Sequence, residues 1–181
     1  LDHRQELAAR KYDGGHRIIK GPSGCGKTLV LVHKAAFLLK YNPLIKRILF
    51  VCYNITLVRY IKRLFMEKGI PLGENGVEVM HIYGLCSRIL GEQIGFEGED
   101  SEMYDFYLKE GLVRIPSFGI RYDAILVDEG QDFSDDMYRL ATGLLNAKTN
   151  NLTIALDESQ DLYGSRRSGK DRGVSAHGRV D

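Results

Sequence analysis

The amino-acid sequence predicts an α/β domain: a parallel sheet of about five strands with helices on both faces. Short extended or apolar runs alternate with longer segments of helical period, which is the pattern of parallel strands joined by helical crossovers. In addition, the segments with the most distinctive polar chemistry directly follow three of those runs. Because ligands of open parallel sheets bind at the carboxyl ends of the strands, we predict the functional site at that edge.

Five short runs carry the strand prediction. Three are rich in Ile, Leu and Val, as buried strands are, a fourth alternates between apolar and polar residues, and the first is an extended stretch after an Asp-Gly-Gly turn. The predicted strands are 16–20, 47–52, 77–80, 124–127 and 152–156.

Helices are predicted between the strands. In the segment 29–40, Leu31, Ala35 and Leu38 fall on one face, and the helix is expected to stop at Asn42 because Pro43 disfavours helical backbone before it. Ser134 is suited to cap a helix over 135–145. Further helices are predicted at 2–10, 56–68 and 84–90.

Two regions have weak patterns. Residues 91–119 are polar and acidic, with a short helical signal at 102–110, and we predict a small irregular insertion there, ahead of the strand 124–127. Residues 164–181 are rich in Gly, Ser and Arg without a core pattern, and are predicted to form a mobile tail. The domain itself is therefore expected to span residues 1–163.

Composition sets the class of protein. The chain has 181 residues, 44% hydrophobic and 27% charged, which suits one globular domain with a substantial core. No apolar run approaches the roughly 18 residues of a membrane span, so no membrane partner is expected. Three scattered cysteines argue against a zinc site or disulfides and fit a reducing cytoplasm. The net charge of +1 does not itself indicate nucleic-acid binding. Local basic clusters, such as 59–63, can be either solvated faces or phosphate contacts.

A phosphate-binding motif occupies residues 21–28, Gly-Pro-Ser-Gly-Cys-Gly-Lys-Thr, between a predicted strand and a predicted helix. Glycines let backbone N–H groups turn toward phosphate oxygens, and the helix end adds positive potential. Lys27 can reach the β- and γ-phosphates, and Thr28 can hold Mg²⁺. The alternative is a Gly-rich turn that happens to carry a lysine. The predicted nucleotide-binding residues here are Gly21, Pro22, Ser23, Gly24, Cys25, Gly26, Lys27 and Thr28.

Nucleotide hydrolysis also needs an acidic partner and a way to activate water. Asp128 follows an apolar strand and is predicted to bind Mg²⁺ through water, and the adjacent Glu129 to act as general base. Gln160, three residues past Asp157, can contact both the γ-phosphate and the water. The alternatives are an acidic start to the next helix and an ordinary surface glutamine.

Six segments in chain order resemble the Q motif and motifs I, Ia, Ib, II and III of UvrD/Rep/PcrA-type superfamily 1 DNA helicases. The Asp-Glu-x-Gln-Asp at 128–132 and the Asp-x-x-Gln-x-x-Tyr at 157–163 are the most specific of them. The resemblance implies a RecA-like P-loop NTPase fold, with 91–119 as a reduced 1B insertion. It also implies ATP and Mg²⁺ as cofactors and ATP-driven movement on single-stranded DNA. The segments are 1–5, 21–28, 48–54, 81–90, 125–133 and 152–164.

The resemblance also assigns roles. Gln5 would read the adenine edge, although a capping box with Asp2 explains it equally well. Gln131 and Asp132 would couple the nucleotide site to the DNA side. Single-stranded DNA would contact residues whose aromatic rings can stack on bases or whose polar groups can bind phosphate, although the tyrosines can equally be core aromatics. These residues are Tyr53, Asn54, Arg59, Tyr83 and Tyr163.

Some positions depart from the family pattern. Leu29 replaces a basic residue beside the nucleotide, and His81 and Tyr83 replace the Thr and His of motif Ib. Residues 173–179 resemble the run before motif IV, so a second RecA-like lobe with arginine fingers is expected in a longer chain, and this lobe alone should hydrolyse ATP poorly. The alternative is a P-loop ATPase or switch that regulates a partner without translocation. A small-molecule kinase is disfavoured because Glu129 indicates activation of water.

Overall fold

The computed structural model describes residues 15–22, 26–94 and 101–157. Five strands there form a single sheet. They are β1 (His16–Gly21), β2 (Ile48–Cys52), β3 (Val77–His81), β4 (Ala124–Val127) and β5 (Asn151–Asp157). Five α-helices lie between them, namely α1 (Lys27–Tyr41), α2 (Ile55–Glu67), α3 (Ile82–Leu90), α4 (Ser101–Arg114) and α5 (Asp135–Thr142).

Every strand pairing in the sheet is parallel, and the order is β1–β5–β4–β2–β3. The carboxyl ends of all five strands therefore meet at one edge, and β5 and β4 separate β1 from β2. This confirms the predicted fold class, an α/β fold with a five-stranded parallel sheet. All five predicted strands are present, with bounds that differ by at most two residues.

Helices cover both faces of the sheet. Residues of α1 and α2, such as Leu38 and Phe65, pack on one face, and residues of α3, α4 and α5, such as Leu85, pack on the other. Alternate residues of β2 enter the two cores: Phe50 joins the first and Val51 the second. Strand β2 is buried on both faces and apolar throughout, which is why the sequence shows a continuous run here.

Several helix boundaries differ from the sequence prediction by one to three residues, and two of these differences have clear local reasons. Helix α1 begins at Lys27, two residues early, because Gly26 takes a left-handed backbone (φ 84°) that turns the chain directly into the helix. Helix α5 begins as predicted after Ser134, whose hydroxyl accepts from the Met137 amide, but it ends at Thr142. Beyond it, the Leu144 carbonyl accepts from the backbone amide of Tyr122 instead of continuing the helix.

The region 91–119 contains more regular structure than its sequence pattern indicates. Helix α4 extends the short signal at 102–110 in both directions and packs against α3 and α5, with Leu108 and Gly111 buried. Its amphipathic pattern is weak because Phe106 and Val113 point to solvent. Residues 101–114 of this region therefore form a helix of the second layer.

A cluster of charged side chains stabilises the sheet near the amino ends of its strands. The Glu78 carboxylate, only 6% exposed, accepts from Arg47 Nε at 2.7 Å and pairs with Arg88. The hydrogen bond with Glu78 raises the pKa of Arg47, whose guanidinium lies 5.6 Å from the ring centre of Tyr122. These contacts join β3, at the edge of the sheet, to its neighbours. No helix among the described residues is long and apolar enough to cross a membrane.

Candidate nucleotide-binding site

The phosphate-loop motif begins at the carboxyl end of β1 and ends in the first turn of α1. Lys27 Nζ donates to the backbone carbonyls of Gly21 at 2.7 Å and Pro22 at 2.9 Å, so its ammonium group lies across the start of the loop. The left-handed backbone of Gly26 aims the N-terminal N–H groups of α1 at the same place. The other predicted loop residues, Ser23, Gly24 and Cys25, lie outside the described residues.

The second acidic element reaches the loop directly. Thr28 Oγ1 donates to Asp128 Oδ2 at 2.6 Å, although the two residues are 100 positions apart. Asp128 follows β4 and is only 2% exposed. Burial raises the pKa of its carboxyl group, and the hydrogen bond from Thr28 opposes that effect. The structure thus places the two predicted Mg²⁺ ligands side by side, as a hydroxyl and a carboxylate oxygen of the hard type that Mg²⁺ prefers.

Glu129 stands beside this pair in an unusual conformation. Its backbone is left-handed, with φ 55° and ψ 42°, which non-glycine residues rarely adopt and which is frequent at functional sites. Its amide donates to Asp128 Oδ1 at 2.9 Å, and its carboxylate accepts from Gln131 Nε2 at 2.7 Å. The predicted general base is therefore held next to the predicted metal ligand.

Gln131 links two strand ends. While its amide nitrogen donates to Glu129, its Oε1 accepts from the backbone amide of Asp157 at 3.0 Å. One side chain therefore connects the turn after β4 with the last residue of β5. The chain continues from there toward Gln160 and Tyr163, which lie outside the described residues, as does Gln5. The coupling role assigned to Gln131 by resemblance stays a prediction, now with a defined contact.

Acidic groups dominate the electrostatics of this edge. Burial raises the pKa of Asp132, and the carboxylates of Glu129 and Asp157 raise it further. Lys27 supplies the opposing positive charge. Among the described residues, no three His, Cys, Asp or Glu side chains are arranged to hold a metal ion. A magnesium ion bound with a nucleotide needs few protein ligands, because phosphate oxygens and waters supply the others.

These residues enclose a cavity of about 310 Å³. Tyr60 of α2, which is 43% exposed, forms part of its wall and was missed by the sequence prediction. The helical pattern marks Tyr60 as a solvent-facing position, and only the placement of α2 beside α1 brings it to the cavity. The lining residues are Gly26, Lys27, Thr28, Leu29, Tyr60, Asp128, Glu129, Gln131 and Asp157.

A larger cavity of about 760 Å³ lies at the opposite edge. It is bounded by the C-terminal half of α1 and by the segments that precede β2 and β3, with Phe37, Ile45 and Ile70 in its wall. None of the predicted site residues lines it. The smaller cavity is the stronger candidate, because it combines the phosphate-loop lysine with carboxylates at the carboxyl ends of the strands.

Those residues predicted to bind nucleic acid that the structure describes lie along the β2–β3 side of the carboxyl edge. Tyr53 directly follows β2 and is 40% exposed, and Arg59 is exposed on α2. Asn54 caps α2, since its Oδ1 accepts from the Thr56 amide at 3.0 Å. Tyr163 is not among the described residues.

Tyr83 has an aromatic partner that the sequence did not reveal. Its ring and that of Tyr104 on α4 are 4.5 Å apart between centroids, tilted by 33°. Burial raises the pKa of Tyr83 to about 12. The preceding His81 caps α3, its Nδ1 accepting from the Gly84 amide at 3.1 Å, and burial lowers its pKa. At this edge His81 and Asn54 thus have structural roles as helix caps, whereas Tyr53 presents an open surface.

Comparison with known proteins shows the class of fold. No family model matches the chain, and no curated protein matches it. Among solved structures, it is similar to the UvsW helicase from bacteriophage T4, with a TM-score of 0.60 and 15% sequence identity. The alignment covers 99% of this chain and 59% of that chain, so the chain spans about three-fifths of its length. The likeness shows the fold alone, a RecA-like α/β fold, and it does not single out the UvrD/Rep/PcrA type.

Proposed function

We propose that the chain is the ATP-binding lobe of an ATP-dependent DNA helicase or translocase of the UvrD/Rep/PcrA type. The observation that carries this proposal is the hydrogen bond between Thr28 and Asp128. It joins a phosphate-loop motif to a strand-end acid 100 positions away, at the edge of the sheet where ligands bind. The six motif-like segments support the superfamily 1 assignment, and the fold supports a helicase lobe.

The nucleotide phosphates would lie between the loop and the end of β4. The ammonium group of Lys27, which donates to two loop carbonyls, would exchange them for β- and γ-phosphate oxygens. Thr28 and Asp128, the latter through water, would hold Mg²⁺, which neutralises phosphate charge when bound. Gly21, Pro22 and Gly26 would complete the cradle. The residues of this proposal outside the described part are Gln5, Ser23, Gly24, Cys25 and Gln160.

Glu129 would take the proton from the attacking water. Its backbone amide donates to Asp128, its carboxylate is oriented by Gln131, and both acids line the same cavity, so Glu129 can act as a base there. Gln160, which follows β5, would contact the γ-phosphate and the same water. Gln131 also accepts a hydrogen bond from the last residue of β5. Loss of phosphate at the site would therefore change the contacts at the start of the segment that contains Gln160.

Single-stranded DNA would cross the same edge on the β2–β3 side. Tyr53 offers an exposed ring for stacking, Tyr83 a half-buried one, and Arg59 a positive charge for phosphate. Asn54 and Tyr163 belong to this proposal as well. A second RecA-like lobe in a longer chain would supply the arginine finger, typically worth about 10³–10⁵ in kcat. Residues 1–163 would then form the lobe, and 164–181 the connection toward its partner.

A second candidate is a P-loop ATPase or switch that regulates a partner without translocation. The cap formed by Asn54 favours it, because a side chain at a position assigned to DNA contact is engaged within the fold. The stacking of Tyr83 on Tyr104 has the same implication. Stimulation of ATP hydrolysis by single-stranded DNA distinguishes the two.

The test is the steady-state ATPase activity of the full-length protein with and without single-stranded DNA. We expect DNA-stimulated turnover that is lost in Asp128→Asn and retained in Asp105→Asn, a change to an exposed acid on α4. ATP turnover that single-stranded DNA does not change would favour the P-loop switch. Full activity of Asp128→Asn would contradict the site itself.

A further inference from the structure

The strained backbone at Glu129 has to be held by its surroundings. A left-handed non-glycine residue persists only where neighbouring contacts over-determine it. Within the turn, the Asp132 amide donates to the Glu129 carbonyl at 3.0 Å, and the Phe133 amide donates to the Gly130 carbonyl at 3.2 Å. These bonds lie within the turn, and side chains attach it to the rest of the fold: Gln131 attaches it to the end of β5, and a residue of α5 attaches it to the second layer.

Tyr138 makes the attachment to α5. This residue of α5 is fully buried, and its hydroxyl donates to the Gly130 carbonyl at 2.5 Å. Position 130 has to be glycine, since a Cβ there would lie 2.4 Å from the Tyr138 hydroxyl and 2.7 Å from Ile154 Cγ2. The Tyr138 ring also lies 5.3 Å from that of Phe133. One side chain therefore contacts the turn in its middle and at its end.

We propose that Tyr138 is a positioning residue for Glu129. Its hydroxyl holds the Gly130 carbonyl, one residue beyond Glu129, against α5. This keeps Glu129 in the conformation in which its amide donates to Asp128 and its carboxylate accepts from Gln131. Tyr138 does not line the cavity of the nucleotide site, so it acts only through the turn. The inference rests on the proposed ATPase function, in which Glu129 activates water.

Tyr138→Phe in the full-length protein tests this directly. The ring remains, and the Gly130 carbonyl still accepts from Phe133, so the fold should be retained. We expect kcat to fall by about tenfold or more while the KM for ATP stays within about twofold, because a displaced base impairs chemistry rather than binding.

The matched control is Thr142→Val. The Thr142 hydroxyl donates to the Tyr138 carbonyl at 2.7 Å, so this change removes one hydrogen bond from the same helix without touching the turn. We expect kcat within about twofold of wild type. An unchanged kcat in Tyr138→Phe, or an equal loss in both variants, would overturn the proposal.

Hydrogen exchange provides a readout that is independent of activity. In Tyr138→Phe, the amides of Asp132 and Phe133 should exchange about tenfold faster or more, and in Thr142→Val they should exchange as in wild type. If the wild-type protein hydrolyses no ATP, the proposed function fails, yet exchange still shows whether Tyr138 holds the turn. Unchanged exchange in Tyr138→Phe would overturn the inference even in an active enzyme.

Discussion

Replacing Glu129 by glutamine separates catalysis from binding. The amide has the shape of the carboxylate and can still accept from Gln131, so the turn should keep its conformation. The change removes only the basic group next to Asp128. We therefore expect Glu129→Gln to bind nucleotide and Mg²⁺ but to lose hydrolysis in the full-length protein.

The size of the loss follows from the role of the base. A positioned general base contributes about 10²–10⁴ in rate, which corresponds to about 2.7–5.4 kcal/mol of activation free energy at about 1.36 kcal/mol for each tenfold change. ATP affinity should be equal or higher, because one negative charge is removed near the triphosphate. Stability should change little: one charge-assisted hydrogen bond weakens, and the repulsion that raises the pKa of Asp128 and Asp132 disappears.

The assay pairs steady-state ATPase turnover with titration of a fluorescent ATP analogue. Glu102→Gln, which alters an exposed acid in the first turn of α4, serves as the matched control and should behave as wild type. If turnover of Glu129→Gln stays within a few-fold of wild type, another residue is the base. If nucleotide affinity collapses together with turnover, Glu129 has a structural rather than a catalytic role.

Three further predictions concern binding and stability. Lys27→Ala should abolish productive nucleotide binding and leave the fold intact, and equal affinity for the analogue in titration would refute the loop assignment. Glu78→Ala should cost about 3 kcal/mol or more of unfolding free energy in urea, because it leaves Arg47 and Arg88 without their buried partner; a loss under about 1 kcal/mol would contradict this. Burial raises the pKa of Asp128 above 3.8, so ionisation opposes folding and stability should fall as pH rises through that raised pKa. Melting curves should therefore show that Asp128→Asn becomes more stable relative to wild type as the pH is raised from 4 to 7. The same stability difference between the two proteins at both pH values would contradict burial of an ionised Asp128 as the cause.

The fold was predictable because its central strands are mostly apolar. Strand β4, buried on both faces between β5 and β2, consists of apolar residues alone, and its run stands out between polar segments. Helix α4 was underestimated for the opposite reason. Phe106 and Val113 face solvent, so the sequence lacks the apolar stripe by which helices are recognised.

The site was predictable only where chemistry leaves a local signature. Thr28 and Asp128 each belong to a short motif after a strand, and parallel strands bring such ends together. Tyr60, Tyr104 and Tyr138 carry no such signature. Each lies on a helix at a position that sequence periodicity describes as surface or core, and its contact with the site depends on how the helices are arranged.

A double-mutant cycle on Thr28 and Asp128 tests the central claim most directly. The measurement is the affinity of the full-length protein for a fluorescent ATP analogue, with Mg²⁺ and with a chelator, in wild type, Thr28→Val, Asp128→Asn and the double variant. If the pair holds one metal ion at the phosphates, each single change should weaken Mg²⁺-dependent binding, and the double variant should lose little more than either, with a coupling of about 1 kcal/mol or larger. Two results would contradict a shared Mg²⁺–nucleotide site. In one, the losses of affinity in the two single variants add up in the double variant; in the other, the affinity of each protein is the same with the chelator as with Mg²⁺.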